Sequence, residues 1–513
     1  MKKPAIFLLL LLLPAIAFTQ SKQDKAIIAK LDATFQQAIT DFNVPGMAIA
    51  IVKDGKVILA KGYGVKDVRT KEPVTENTSF AIASNSKAFT AAALATLVDE
   101  GKISWNDKVK TYLPYFELYS PYVSEEMAIR DLLCHRSGLA TFSGDLIWYG
   151  SNHSREEVIK RAKYLEPVYG FREDYGYSNI MFLAAGEIIP VVTGKSWDEY
   201  IQEKFFAPLE MTNANTSITQ FKPGQDIATP HNEKDGVNIA IDYVNWDNIA
   251  PAGSINASVA NLSQWIQLQL GKGTLNGNKF WSEKRSYEMW ENYTPKSVSA
   301  WQRKNMPTRH FNGYGLGWEL MEYGGQKIVS HGGGYDGMIS KTVLIPEKNI
   351  GFVILTNNIN SLPSALSFSI LDAFLDVKDT QDWPALFLKF KKDDEANAPL
   401  ALKEKEDKRL KNTQPSLTLD QYCGTYESEM YGAVEITKKD DKTLIIDFKP
   451  TDLFKGTLTH WHLDTFQLNW STQMMLPSGE ATFIINKDGE VEELRVVVEN
   501  PDFDFTELKL MKK

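Results

Sequence analysis

The sequence predicts an α+β protein, with an antiparallel sheet that carries an inserted helical subdomain and is followed by a small antiparallel β-barrel. Two strand patterns flank a turn at Asp54 and Gly55, and strand patterns return only after residue 315. Helical periodicity dominates the residues between them, and short alternating segments fill the C-terminal part. The sheet is therefore expected to be built from both ends of one domain.

Apolar spacing predicts the main elements of this domain. Small and apolar residues at helical spacing indicate a buried helix over 84–100, closed by Gly101, which places Ser84 at its N-terminus. Helical patterns over 179–193 and 258–270 belong to the inserted subdomain. The returning strands are predicted at 315–322, 326–331, 339–345 and 350–356, followed by a helix over 362–375.

The C-terminal part begins after a charged stretch at 389–415, which is typical of a solvated helix or linker. Beyond Leu417, alternating segments between Asp, Gly and Pro turns predict barrel strands at 431–436, 443–448, 465–470, 480–485, 490–498 and 503–510. We therefore expect a leader at 1–20, the mixed domain at 22–380, a charged helix or linker at 381–415 and the barrel at 416–513.

The N-terminus follows the pattern of a secretory signal peptide. Lys2 and Lys3 precede an apolar run from Ala5 that continues to Ala17. We expect export to the periplasm or the extracellular space, with cleavage after Ala17 or nearer Gln20. A retained anchor is the alternative, although the run is shorter than the ~20 residues that a span needs. No later stretch is long or apolar enough to cross a bilayer, so stable membrane insertion is not expected.

Composition argues against several function classes. A net charge of -9 leaves no basic excess to neutralise phosphates, so a nucleic-acid partner is not expected. Cys134 and Cys423 fall in different predicted domains and are interpreted as buried thiols rather than a disulfide. The seven histidines lack ligand spacing, and His460 and His462 are interpreted as barrel packing rather than a metal pair. We expect no metal and no other cofactor.

A nucleophile and a base are predicted at Ser84 and Lys87, which form the only Ser-x-x-Lys pattern in the chain. Positions three apart lie on one face of a helix, so the Lys87 amine can approach the Ser84 hydroxyl. The helix N-terminus favours developing negative charge, and burial can lower a lysine pKa until it accepts a proton. Both residues could otherwise be a simple helix cap and a surface lysine.

Two further motifs carry groups suited to acyl transfer. Tyr177 and Asn179 offer a phenol that can move a proton and an amide that can bind both Lys87 and a substrate carbonyl. A second Tyr-x-Asn begins at Tyr243, and the flanking sequence favours Tyr177. His331 begins the only His-x-Gly pattern, and the glycines that follow let backbone N–H groups approach a bound acyl group: Gly332, Gly333 and Gly334.

The ordered trio Ser-x-x-Lys, Tyr-x-Asn and His-x-Gly resembles that of the serine β-lactamase-related hydrolases, which include class C β-lactamases, DD-peptidases, D-aminopeptidases and carboxylesterases. The resemblance covers roughly residues 25–378. Four stretches around the motifs are similar as well: 80–83, 131–139, 251–254 and 314–318. Residues 416–513 resemble the lipocalin-like domain attached to some of these hydrolases, which leaves a homo-oligomer open. His135 and Arg136, inside the stretch 131–139, are interpreted as structural residues that hold a loop.

The resemblance implies a β-lactamase/transpeptidase-like fold and a Ser84 acyl-enzyme, in which Lys87 and Tyr177 share proton transfer and Asn179 orients them. It also implies an oxyanion hole from the backbone N–H groups of Ser84 and Gly334, with Gly332 and Gly333 beside the substrate. His331 stands where β-lactamases and many DD-peptidases carry lysine. A histidine with a reference pKa of about 6.5 is mostly neutral at pH 7, which disfavours strict recognition of a β-lactam carboxylate.

The leading functional hypothesis is an exported serine hydrolase that acts on small peptides or amides, including those with D-amino acids. A carboxylesterase or a β-lactamase with the same mechanism is the alternative. A non-catalytic protein that binds peptidoglycan fragments is the alternative from another class, and loss of the serine or the lysine would be its signature. Ser84 and Lys87 are both present, which favours the enzyme.

Overall fold

The computed structural model describes residues 21–378, 380–471 and 476–513, so the predicted signal peptide lies outside the described residues. Helices alternate with strands along the N-terminal part and are sparse after residue 410. Their bounds are Lys22–Asp41, Ser86–Asp99, Val109–Tyr112, Pro121–Glu126, Ile129–Leu133, Asp145–Trp148, Arg155–Arg161, Asn179–Thr193, Trp197–Ile201, Ala250–Gly253, Val259–Leu270, Glu283–Met289, Ala300–Asn305, Leu362–Leu375, Trp383–Lys408 and Leu419–Tyr422.

An eight-stranded antiparallel sheet forms the centre of the N-terminal part. The early strand pairs directly with the last one, because Ala48 lies opposite Leu355 and Ala50 opposite Val353. The prediction that the sheet is built from both ends is therefore confirmed. In spatial order the strands are Lys56–Gly64, Gly46–Lys53, Ile350–Thr356, Met338–Ile345, Gln326–Tyr335, Glu319–Tyr323, Asn312–Tyr314 and Thr294–Lys296.

The predicted strand at 315–322 is divided in the structure. The chain turns between Tyr314 and Glu319, where Gly317 has a φ of 76° and the Gly315 N–H donates to the Trp318 carbonyl. Glycine adopts this left-handed conformation at little cost, so the pattern that looked like one strand contains a tight turn. In the described part of the chain, three short strand pairs lie outside the sheet: Phe80–Ala81 with Asn256–Ala257, His231–Lys234 with Val237–Ala240, and Thr274–Leu275 with Asn278–Lys279.

The sheet is covered on both faces, which explains the nearly continuous apolar sequence of its central strands. In the strand Gly46–Lys53, Ala48, Ala50 and Val52 face the core of the inserted helical subdomain. The residues between them face a second core, formed against the helices Lys22–Asp41 and Leu362–Leu375: Met47, Ile49 and Ile51. The inserted subdomain therefore occupies one face of the sheet only.

A closed eight-stranded antiparallel barrel forms the C-terminal part, as predicted. Burial alternates along its strands, so every second side chain fills the interior. The long helix Trp383–Lys408 precedes it and is packed at its start, where Trp383 is buried. The barrel strands are Gly424–Ser428, Gly432–Lys438, Thr443–Phe448, Lys455–His462, Thr465–Trp470, Gly479–Ile485, Val491–Val497 and Leu510–Lys512.

The prediction of a strand over 503–510 is wrong. A loop and a 3₁₀ turn at Phe505–Leu508 occupy this segment, and pairing begins only at Leu510. The Asn500 side chain accepts hydrogen bonds from the N–H groups of Asp502 and Phe503, and Pro501 has no N–H to give to a strand partner. The apolar residues alternate here because the loop packs against two different parts of the molecule.

No single helix among residues 21–378, 380–471 and 476–513 is long and apolar enough to cross a membrane. The helix Asn179–Thr193 and the segment Trp197–Phe206 have the length and apolar composition of a membrane span only when taken together, and they are bent by 80° relative to each other. Most of the first helix is buried in the core of the subdomain.

A buried carboxylate, Asp131, joins three segments of the inserted subdomain. It accepts hydrogen bonds from Nε of Arg136 at 2.6 Å, Nη2 of Arg172 at 2.6 Å and the backbone N–H of Ala128 at 3.0 Å. The side chain of Asp131 is fully buried, whereas that of Arg172 is 40% exposed. These contacts fix the loop that leads from Arg172 to Tyr177.

We predict that Asp131→Asn lowers the free energy of unfolding by about 2 to 3 kcal/mol, because two arginines lose a buried counter-charge. Glu125→Gln is the matched control: it removes an exposed ion pair with Lys110 and should change stability by less than about 0.5 kcal/mol. Urea or thermal unfolding measures both. Equal, small effects of the two substitutions would contradict this account.

Candidate active site

The predicted nucleophile, Ser84, lies on a tight turn between a strand and a helix. The strand Phe80–Ala81 leads into a 3₁₀ turn at Ala83–Asn85, and the α-helix begins at Ser86 rather than at Ser84. Ala83 has a φ of 46°, a left-handed conformation that costs free energy for a residue with a Cβ. The turn exposes the Ser84 hydroxyl at the edge of a cleft while the following helix is almost entirely buried.

Lys87 is fully buried and its amine is surrounded by oxygen atoms. Its Nζ lies 3.0 Å from Oγ of Ser84, 2.6 Å from Oδ1 of Asn179 and 2.9 Å from the backbone carbonyl of Ala252. These three acceptors are uncharged. Lys87 has no salt-bridge partner within the part of the chain that the structure describes, and the carboxylate whose charge acts on it is that of Asp145.

Burial lowers the pKa of the Lys87 amine well below its usual range, and the negative charge of Asp145 opposes this effect only in part. A neutral amine has two N–H donors and one lone pair. The amide oxygen of Asn179 and the carbonyl of Ala252 can take the two donors, so the lone pair faces the Ser84 hydroxyl, which then donates to Lys87. In this state the geometry suits removal of the hydroxyl proton.

Asn179 is held in turn by Asp145, a residue that sequence reasoning missed. The Asn179 amide donates to Oδ2 of Asp145 at 2.7 Å, and Nε1 of Trp148 donates to Oδ1 at 2.8 Å. Burial raises the pKa of Asp145 to about 7, although these donors and the charge of Lys87 lower it in part. The contact fixes the amide orientation, so that its oxygen points at Lys87.

Tyr177 lies over the same amine, with its ring centroid 4.7 Å from Nζ of Lys87. Burial raises the pKa of the phenol well above its usual range, and the nearby Ser84 hydroxyl lowers it in part. The His135 ring packs against Tyr177 at 4.2 Å, and its Nδ1 accepts from the backbone N–H of Ser178 at 3.0 Å. His135 therefore supports the loop that carries Tyr177 and Asn179.

His331 is buried and neutral. Its Nδ1 donates to the Gly332 carbonyl at 2.5 Å, so Nε2 must accept from the Tyr314 hydroxyl at 2.7 Å. Burial lowers the pKa of His331 to about 3, although the nearby Glu319 carboxylate opposes this shift. The ring thus presents no positive charge to the cleft at neutral pH.

The glycines after His331 bring a strand against the nucleophile turn. A Cβ on Gly333 would lie 2.3 Å from the Ile82 carbonyl and 3.0 Å from the Ser84 backbone nitrogen, so only glycine allows this approach. Gly332 and Gly334 line the cleft, whereas Gly333 packs beneath it. The strand that contains them therefore runs alongside the backbone of Ser84.

The cleft has a volume of about 620 Å³ and is lined by both aromatic and polar side chains. It contains Ser84, Tyr177, Asn179, His331 and Gly334, so the structure brings the three motifs together. Besides Tyr177, the aromatic residues that line it come from the N-terminal part and from the barrel: Phe142, Trp148, Tyr149, Tyr175, Trp246, Tyr335 and Phe503.

Other candidates from the sequence lie elsewhere. Tyr243, in the second Tyr-x-Asn, donates to the Ala228 carbonyl outside the cleft. His460 contacts the Leu463 carbonyl and His462 accepts from the Leu410 N–H, and no cluster of metal-ligand type occurs among the described residues. Cys134 and Cys423 are free thiols, but only Cys134 is buried as predicted, since Cys423 is partly exposed.

Asp145 and Tyr314 carried no usable signal in the sequence. Asp145 lies 34 residues before Asn179, outside any of the motifs, and its contact exists only because a four-residue helix turns it inward. Tyr314 begins the stretch 314–318, and its bond to His331 crosses the intervening strand Glu319–Tyr323, which pairs with the strands of both residues. Long-range contacts of this kind have no periodicity in the sequence.

Comparisons with known proteins show which families the chain resembles. The family model described as Beta-lactamase matches residues 31–367, and one described as a domain of unknown function (DUF3471) matches residues 408–512. Protein flp of Staphylococcus aureus (strain COL) is 29% identical over 336 residues, which are 64% of this chain and 62% of that protein. The unguisins hydrolase ungD' of Aspergillus campestris is 27% identical over 440 residues, 80% of this chain and 78% of that protein.

Two solved structures share the fold. The octameric penicillin-binding protein homologue from Pyrococcus abyssi aligns with a TM-score of 0.60 at 23% identity, covering 94% of this chain and all (100%) of that one. EstCE1, described as a hydrolase with promiscuous acyltransferase activity, aligns with a TM-score of 0.58 at 18% identity, covering 69% of this chain and 100% of that one. With its family model spanning most of the mixed domain, the chain belongs to the Beta-lactamase family.

Proposed function

We propose that the protein is an exported serine hydrolase that acts through a Ser84 acyl-enzyme on small peptides or amides. The observation that carries this proposal is the buried Lys87 amine, 3.0 Å from Oγ of Ser84 and held by uncharged acceptors. A lysine in this setting is a base rather than a surface charge. Family membership supports hydrolysis in general.

In the proposed acylation step, neutral Lys87 takes the proton of the Ser84 hydroxyl while Oγ attacks the substrate carbonyl. In this proposal the backbone N–H groups of Ser84 and Gly334 bind the resulting oxyanion, which the close approach of their two segments at Gly333 supports. The proton then passes to the leaving group through the Tyr177 hydroxyl, which is hydrogen-bonded to Ser84. Water, activated by the same groups, releases the acyl product and restores Ser84.

The cleft disfavours a negatively charged acyl group. Aromatic side chains share its lining with the carboxyl groups of Asp145, Glu319, Asp336 and Asp502. Neutral His331 offers no counter-charge to a carboxylate beside the scissile bond. Small peptides or amides fit these walls, including those with D-amino acids. The same features suit an ester, so carboxylesterase activity is the second candidate, and β-lactam hydrolysis is less well supported.

Export and assembly are proposed on separate grounds. The basic and apolar pattern of residues 1–20 supports a cleaved signal peptide, which N-terminal sequencing of the secreted protein would test. The archaeal structure is octameric, and a homo-oligomer of this chain is proposed by similarity alone. Light scattering of the purified protein would give its mass.

We predict that a fluorophosphonate probe adds one adduct to the wild type and none to Ser84→Ala, measured by intact mass. Ser86→Ala is the matched control, because the Ser86 hydroxyl accepts from the Ile255 N–H, at 3.1 Å, and lies in the same helical turn. The control should label like the wild type. Labelling of folded Ser84→Ala, or no labelling of any variant, would contradict the proposal and favour a non-catalytic binding protein.

We predict that kcat/KM rises with pH and reaches its plateau well below the usual lysine pKa of about 10.4. The sign follows from the lowered pKa of Lys87: the amine is active when neutral, and burial makes it neutral at a lower pH. Hydrolysis of a p-nitrophenyl ester across about pH 5 to 9 measures the profile.

Lys87→Arg controls for this profile, because a guanidinium keeps the positive charge and does not release a proton in this range. Its kcat should fall by about 10³-fold or more, as expected for loss of a catalytic base. A Lys87→Arg variant that retains the activity and the pH profile of the wild type would exclude Lys87 as the base.

A further inference from the structure

The last loop of the barrel enters the catalytic cleft. It leaves the strand Val491–Val497 and returns at Leu510, and it is fixed to the barrel through the buried side chains of Phe505 and Leu508. Its tip lines the cleft with the side chains of Pro501, Asp502 and Phe503. The Phe503 ring lies 4.6 Å from that of Tyr149. One wall of the catalytic cleft is thus supplied by the C-terminal domain.

The same loop is hydrogen-bonded through Glu507 to a turn of the N-terminal part. The Ser143 hydroxyl donates to Oε1 of Glu507 at 2.5 Å, and the Gly144 N–H donates to Oε2 at 2.8 Å. The turn requires glycine at position 144. Gly144 has a φ of 79°, and a Cβ there would lie 2.6 Å from the Leu165 side chain. Burial raises the pKa of Glu507, and the two donors oppose that shift.

The turn that Glu507 holds reaches the catalytic residues by two routes. Asp145 follows Gly144 directly and accepts from Asn179, whose oxygen lies 2.6 Å from Nζ of Lys87. On the other side of the turn, the Phe142 N–H donates to the Tyr177 carbonyl at 2.8 Å. A shift of the turn would therefore displace the base and the proposed proton relay together.

We propose that Glu507 is a positioning residue of acylation, through which the C-terminal barrel completes the active site. This inference rests on the proposed function of Ser84 and Lys87. Glu507 touches no reacting atom. It fixes the turn at Ser143 and Gly144, which places Asp145 against Asn179 and thereby sets both the position and the basicity of Lys87.

A role limited to holding the two domains together makes a different prediction. The interface has other contacts, such as the Asn152 N–H to the Pro450 carbonyl at 2.9 Å and Nη1 of Arg161 to the Met430 carbonyl at 3.0 Å. Removal of Glu507 should therefore leave the barrel docked. Asp145 raises the pKa of Lys87, so its withdrawal from the site should lower that pKa, an effect that loosening of the interface alone would not produce.

The test compares Glu507→Ala with Lys509→Ala, which removes an exposed contact between the same two domains, the ion pair of Lys509 with Glu166. For Glu507→Ala we expect kcat/KM for a p-nitrophenyl ester to fall at least about tenfold, mainly through kcat, with the acid limb of the profile moved to lower pH. Lys509→Ala should stay within about twofold of the wild type, with an unchanged profile. Glu507→Gln should recover part of the activity, since its amide oxygen still accepts one hydrogen bond.

A double-mutant cycle with Asp145→Asn tests the route. If Glu507 acts through Asp145, Glu507→Ala should reduce kcat much less in the Asp145→Asn background than in the wild type. Ser143→Ala, which removes one of the two donors, gives a smaller change in the same direction and serves if Glu507→Ala does not fold.

Wild-type kcat/KM and pH profile in Glu507→Ala, with Ser84→Ala inactive, would overturn the positioning role and leave the proposed function intact. Full activity of Ser84→Ala would instead overturn the proposed function itself. Additive effects in the double-mutant cycle would exclude the route through Asp145.

Discussion

Burial of one lysine amine among uncharged oxygen atoms is the constraint on which the site depends. Lys87 is buried and has no salt-bridge partner among the described residues, so its charged form is destabilised and its neutral form is favoured. A direct carboxylate partner would reverse this balance. Asp145 instead acts through Asn179, which holds the amine in place while leaving most of the desolvation effect intact.

The fold supplies this environment from distant segments. The helix that carries Lys87 is buried in the inserted subdomain, and the carbonyl of Ala252 comes from a segment 165 residues further along the chain. The strand with His331 reaches the nucleophile turn because the two ends of the domain close one sheet. A glycine at position 333 permits that contact. The barrel contributes the last wall and fixes the turn before Asp145.

The sequence predicted the parts of this arrangement that depend on local spacing. Ser84 and Lys87 lie three residues apart at the start of a helix, and alternation identified most barrel strands. Asp145 and Glu507 were not predictable, because their contacts join residues 34 and 364 positions away in the chain. The segment 503–510 was predicted wrongly for a related reason: its apolar residues divide between the barrel interior and the catalytic cleft.

The central claim is that neutral Lys87 drives formation of an acyl group on Ser84. Acid quenching during turnover of an activated ester, followed by peptide mass mapping, measures that intermediate directly. The account predicts an added acyl mass on the peptide that contains Ser84 in the wild type, and its loss in Lys87→Ala. Turnover with the acyl group on another residue, or undiminished acylation of Ser84 in Lys87→Ala, would contradict it.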